Sequence, residues 1–210
     1  MSRVKKLTGR RIQQATRERA SAGRPNKGKI DRDNMSYQRI VIIGFMATGK
    51  TTVAHDLARQ LNCSAIDLDD LIAERKQRTP KAIIEQDGED AFRKVETQVL
   101  REVLVDTAAR VIAIGGGAWT VAENRSLIAE QGAFTVWLDA PFELCWKRIE
   151  AGPGLRPLAR SRETALKLYA QRRTLYEAAD VRISVSENES AEQIAMKIAD
   201  IVLSSRPVSS

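Results

Sequence analysis

Gly44-Phe45-Met46-Ala47-Thr48-Gly49-Lys50-Thr51 reads G-x-x-x-x-G-K-[ST], the pattern of a phosphate-binding loop. The pattern is informative only between a strand and a helix, and both flanks fit. Arg39-Ile40-Val41-Ile42-Ile43 is a short β-branched run, as in a strand buried on both faces of a parallel sheet. Thr52 to Leu61 places Val53, Leu57, Ala58 and Leu61 at helical spacing, with no Gly or Pro inside. Gly44 and Gly49 let the backbone turn so that successive N–H groups surround an anion, and the helix N-terminus adds partial positive charge. Lys50 then reaches the β- and γ-phosphates, and the Thr51 hydroxyl is placed to ligate Mg²⁺. Ala47, Thr48 and Thr52 complete the nucleotide-facing loop. A glycine-containing turn that binds nothing is the alternative, and the full pattern in its strand–loop–helix context argues against it.

The chain has 210 residues, enough for one α/β domain with a core. Its net charge of +7 is unevenly distributed. Residues 1–37 hold eleven Lys/Arg and three Asp/Glu, a net +8, which leaves −1 for the remainder. The body is therefore close to neutral, and its net charge does not argue for nucleic-acid binding. Cys63 and Cys145, in apolar surroundings and without metal-type spacing, read as reduced thiols. No apolar run approaches the length of a membrane span. The single histidine, His55, reads as a solvated helix position.

Along the body, strands and helices alternate, which predicts a three-layer α/β/α sandwich around a parallel sheet. Cys63-Ser64-Ala65-Ile66 reads as a strand delivering Asp67, Asp69 and Asp70 to the ligand edge of that sheet. Asp69 or Asp70 also suits a helix N-cap, so one Asp of the cluster can cap while the others serve chemistry. Helices follow at Pro80–Gln86 and from Glu89 onward, with Phe92, Val95, Val99, Leu100, Val103 and Leu104 apolar. Arg93 lies one residue from that stripe. Val111-Ile112-Ala113-Ile114 is a second core strand, running into Gly115-Gly116-Gly117, a backbone that a ligand can approach closely. Ala133 to Leu138 is the third. Gly152-Pro153-Gly154-Leu155-Arg156-Pro157-Leu158 reads as a lid loop with an arginine at its centre. Ser161 caps a helix to about Ala179 that carries Arg172 and Arg173. Val181–Val185 is the last strand, and the helix Ala191–Leu203 turns Ile194, Ile198, Ile201 and Val202 inward.

Six of these segments, in order over residues 38 to 204, resemble the shikimate kinase family. They are the phosphate loop with its Gly-Phe-Met start, Asp67-Leu68-Asp69, and Gly88-Glu89-Asp90-Ala91-Phe92-Arg93-Lys94-Val95-Glu96 as G-E-x-x-F-R-x-x-E. Gly115-Gly116-Gly117-Ala118, Leu155-Arg156-Pro157-Leu158, and Arg172 to Tyr176 as R-x-x-L-Y complete the set. The resemblance implies a nucleoside-monophosphate-kinase-like P-loop fold over residues 38–205, with a substrate-binding segment at about 67–105 and a lid at about 150–163. It implies ATP-dependent phosphorylation of the 3-hydroxyl of shikimate, with Mg²⁺, in aromatic amino-acid biosynthesis. It assigns Asp69 to the substrate hydroxyls, and Arg93 and Arg172 to the substrate carboxylate, a task suited to guanidinium. Gly115, Gly116 and Gly117 approach the ring through backbone. Thr51 ligates Mg²⁺ directly and Asp67 through water. Lys50 and Arg156 serve the transferring phosphate, and Arg148 packs on adenine. Two departures stand out: Ala47 replaces a usual Gly, and the loop Ser186-Glu187-Asn188-Glu189-Ser190 lacks the usual Pro and offers no Arg. A cytoplasmic monomer is expected.

Two rival functions share these features: a kinase of another small polyol acid such as gluconate, and a regulatory or nucleic-acid-binding protein that uses the kinase-like domain as a sensor. Residues 1–37, with many charges and breaks at Gly23, Pro25 and Gly28, have the composition of a disordered segment. They read as a polyanion-binding arm, a targeting peptide or an inert extension. Met35, five residues before the first core strand, is the expected start of translation. Mass spectrometry of the native protein should therefore find an N-terminus near Met35, and a mature chain beginning at Met1 or Ser2 would overturn this.

Overall fold

Strand β1 (Ile40–Gly44) occupies the centre of the sheet. Ile40, Val41, Ile42 and Ile43 each expose 0% of their surface. Neighbouring strand residues point to opposite faces, so both faces are covered, as the unbroken β-branched run requires. The structure is a computed structural model, and it describes residues 39–106, 108–152 and 161–204. The basic extension, Arg156 and the body of the expected lid lie outside the described residues.

The sheet has five parallel strands in the order β2-β3-β1-β4-β5, with β2 at Ala65–Asp67, β3 at Val111–Ala113, β4 at Phe134–Asp139 and β5 at Val181–Ser184. Ile40 pairs with Val111 on one side and with Phe134 on the other. The chain moves outward from β1 to β2, returns at β3, then crosses to β4 beyond β1. The C-terminal end of β1 is thus the switch point where an open α/β sheet forms its crevice. Helices flank the sheet. They are α1 (Lys50–Gln60), α2 (Leu68–Lys76), α3 (Pro80–Asp87), α4 (Glu89–Asp106), α5 (Ala122–Glu130), α6 (Phe142–Glu150), α7 (Arg162–Tyr176) and α8 (Ala191–Ser204). No helix among the described residues is long and apolar enough to cross a membrane.

Most boundaries follow local chemistry. Pro80 opens α3 behind Thr79, whose hydroxyl accepts from the Ala82 N–H, and Ser161 caps α7 through the Thr164 N–H. Strand β2 begins later than its apolar run, because the Cys63 N–H is spent on the Ala58 carbonyl at the end of α1. Helix α7 stops at Tyr176 rather than near Ala179. The Ala178 and Ala179 N–H groups bond to the Leu175 and Tyr176 carbonyls, a tighter turn than α-helix. Ile194, Ile198 and Val202 are buried as expected, whereas Ile201 is only half-buried. His55 is exposed, and Cys63 and Cys145 are free thiols.

Helix α1 carries the phosphate loop's first helical residues and packs on α8 and the sheet. Leu57, 0% exposed, anchors it. Leu57→Ala should lower unfolding stability by about 2–5 kcal/mol, seen as a lower denaturant midpoint at unchanged slope. A loss well below that range would show that α1 does not depend on this contact.

Candidate active site

Three residues of the phosphate loop have positive φ: Gly44 (146°), Ala47 (61°) and Gly49 (95°). Glycine reaches that region without strain; alanine does so at a cost of roughly 1–2 kcal/mol. The Ala47 carbonyl accepts from Arg148 Nη1 at 3.2 Å, so the end of α6 ties down the strained residue. Phe45 O accepts from Thr48 Oγ1 at 3.0 Å and from Lys50 Nζ at 2.9 Å. Lys50 is thus folded over the loop it serves.

Asp67 links the two halves of the site. Its Oδ1 accepts from the Asp69 N–H at 2.9 Å, which makes Asp67, rather than Asp69 or Asp70, the N-cap of α2. Its Oδ2 accepts from the Thr51 hydroxyl at 2.5 Å. Hydroxyl and carboxylate oxygens at the mouth of a phosphate loop fit Mg²⁺, which keeps several waters and takes substrate phosphates as ligands, so one or two protein oxygens suffice. Among the described residues there is no group of three or more His, Cys, Asp or Glu that could hold a metal by itself.

A cavity of about 470 Å³ lies over the C-terminal end of β1. Ala47, Thr48, Gly49, Lys50, Thr51 and Thr52 line one part of it. Asp67, Asp69, Gly115 and Gly116 line another, and Arg148, Val185 and Glu189 close the end beside α8. Arg93 and Arg172 do not line this cavity. They stand beside the glycine segment, and the glycines are what let them approach. A Cβ at Gly117 would overlap the Arg93 guanidinium, and one at Gly116 would lie 3.5 Å from Arg172 Nη1. Arg93 is braced by Glu89 at 2.9 Å and Glu96 at 2.6 Å. Burial pulls its pKa down, but the two carboxylates outweigh that and leave it raised. Arg172 is 7% exposed, and burial lowers its pKa. Its neighbour Arg173 turns the other way, to Asp139.

Glu96 and Tyr176 stand in the quoted motifs but received no role from the sequence. Glu96 had a legible signal: it is four residues after Phe92 and four before Leu100, an acid on the buried stripe of α4. Tyr176 had a weaker one, sitting one helical turn beyond Arg172.

The family model described as shikimate kinase matches residues 46–202. A shikimate kinase from Cereibacter sphaeroides is 37% identical over 171 residues, covering 80% of this chain and 83% of that protein. One from Geobacter sulfurreducens is 39% identical over 168 residues, covering 79% and 91%. Among solved structures, the shikimate kinase from Acinetobacter baumannii in complex with shikimate superposes with a TM-score of 0.72 at 32% identity, covering 82% of this chain and 97% of that one.

Glu96 is fully buried, and its Oε1 has no hydrogen-bond partner among the described residues. Arg93 favours its ionised form, but burial outweighs Arg93 and pushes the carboxyl up from 4.5 to about 7. Between those values the folded protein keeps a proton that the unfolded chain has released, so this group's stabilisation is full below about pH 4.5 and fades as pH rises to about 7. Glu96→Gln, neutral throughout, should remove this component. Denaturant unfolding from pH 4.5 to 7 should show a flatter profile for the variant than for the parent, and identical profiles would refute the assignment.

Proposed function

The chain belongs to the shikimate kinase family, and from that premise we propose how its own residues share the work. The reaction is ATP-dependent phosphorylation of shikimate at its 3-hydroxyl, giving shikimate 3-phosphate and ADP. One observation supports the division of roles: the phosphate loop and the Asp69–glycine edge line one cavity. A nucleotide held by the loop therefore presents its terminal phosphate to a molecule held by Asp69.

Phosphoryl transfer is mainly positioning and charge neutralisation. Lys50 leaves the Phe45 carbonyl for the β- and γ-phosphates. Thr51 and Asp67 would hold Mg²⁺, which would neutralise phosphate charge. Asp69 accepts hydrogen bonds from the substrate hydroxyls and takes the proton of the 3-hydroxyl as it attacks. Arg93 and Arg172 hold the carboxylate, with the backbone of Gly115 to Gly117 against the ring. Arg156 comes to the transferring phosphate from the 150–163 lid. Arg148, already beside the loop at Ala47, packs on the base. The paired guanidiniums with Asp69 favour shikimate over a gluconate-like acid. We place the catalytic domain at residues 38–205, with 1–37 as an extension dispensable for catalysis, in a cytoplasmic monomer.

A coupled ADP-release assay with ATP and Mg²⁺, run with and without shikimate, tests these roles. Lys50→Ala should abolish shikimate-dependent turnover. Arg93→Lys should raise the KM for shikimate roughly tenfold or more, the loss of one charged hydrogen bond, with little change in the KM for ATP. Near-normal turnover in the first variant would refute the loop assignment, and equal losses for both substrates in the second would make Arg93 structural.

A further inference from the structure

Tyr176 closes α7 with 2% of its surface exposed. Its ring lies against Trp137 of β4, centroids 6.0 Å apart, so the core fixes where the ring sits. Its hydroxyl donates to the Gly116 carbonyl at 2.8 Å, and Arg172 stands one turn earlier on the same helix face, beside the same glycine. The surroundings are tight. A Cβ at Gly116 would stand 2.9 Å from this hydroxyl and 2.8 Å from the Gly44 carbonyl oxygen at the head of the phosphate loop.

We propose that Tyr176 is a positioning residue for the substrate carboxylate: its hydroxyl fixes the Gly116–Gly117 peptide plane, beside which the Arg172 guanidinium also stands. A trans peptide is planar, so holding the Gly116 carbonyl toward Tyr176 holds the Gly117 N–H on the opposite side. Gly117 is also where the Arg93 guanidinium packs. The backbone donor thus takes its direction from the phenol, on a glycine segment that both guanidiniums abut. A carboxylate site gains affinity from alignment of its donors more than from their number. Burial pushes the phenol's pKa up, so the group stays protonated and remains a donor. Phenylalanine would keep the ring on Trp137 but leave the buried Gly116 carbonyl without this donor.

The proposal rests on the reading that Arg172 holds the substrate carboxylate, and the experiment separates the two. Steady-state kinetics on the full chain would compare Tyr176→Phe, Arg172→Lys and the double variant, with thermal unfolding of each. Tyr176→Phe should raise the KM for shikimate about 5- to 20-fold, with kcat and the KM for ATP within about twofold and the melting temperature shifted by only a few degrees. The double variant should lose less than the product of the single losses, because both act on one network. If Arg172→Lys raises the KM for shikimate and Tyr176→Phe does not, Tyr176 positions nothing and the proposal falls alone. Equal rises in both KM values for Tyr176→Phe, or its failure to fold, would make the hydroxyl structural and also overturn the proposal. An unchanged KM for shikimate in Arg172→Lys would remove the premise and the proposal together.

Discussion

A strand covered on both faces has one exit at its C-terminal end, and there the chain must turn while its backbone donors still require partners. Strand β1 is in that position, with Ile40 to Ile43 fully buried between β3 and β4. The turn that follows wraps its N–H groups around an open space instead of satisfying them within the sheet. The cavity, the residence of Lys50 and Thr51 at the first turn of α1, and the arrival of Asp67 and Gly115 from neighbouring strands all follow from where β1 ends.

Across the cavity, the substrate half depends on charge held in the core. Glu96, Arg93 and Arg172 are brought together beside a glycine segment, and none of the three is solvated enough to be inexpensive. An apolar trio would pack there with less penalty. The Glu96 oxygen without a partner among the described residues and the lowered pKa of Arg172 both follow from that burial.

What the sequence made legible was local or periodic. The phosphate loop, the β-branched strands, Pro80 at the start of α3, the Ser161 cap and the apolar face of α4 each depend on neighbours along the chain, and the structure reproduces them within a residue or two. Less was legible where partners come from far away. Asp67 became the cap of α2 while also accepting from Thr51, sixteen residues earlier. Arg148 found the Ala47 carbonyl from the far end of α6. That Tyr176 meets Gly116, sixty residues away, follows from the crossing of α7 over β4, which no spacing encodes. Arg173, adjacent to Arg172 and chemically identical, goes to Asp139 instead; only helical phase separates the two, and it needs the core to define it.

The triple glycine has a consequence for how this protein can vary over time. Each of its three residues is abutted by a group of the site: Gly115 by Asp69 and Glu96, Gly116 by Tyr176 and Arg172, Gly117 by Arg93. A methyl group at Gly115 or Gly117 would meet a charged side chain first, whereas one at Gly116 would press on the Gly44 backbone carbonyl and the buried Tyr176 hydroxyl. The outer two positions are therefore constrained by the charged cluster beside them, and the middle one by the packing of the fold itself.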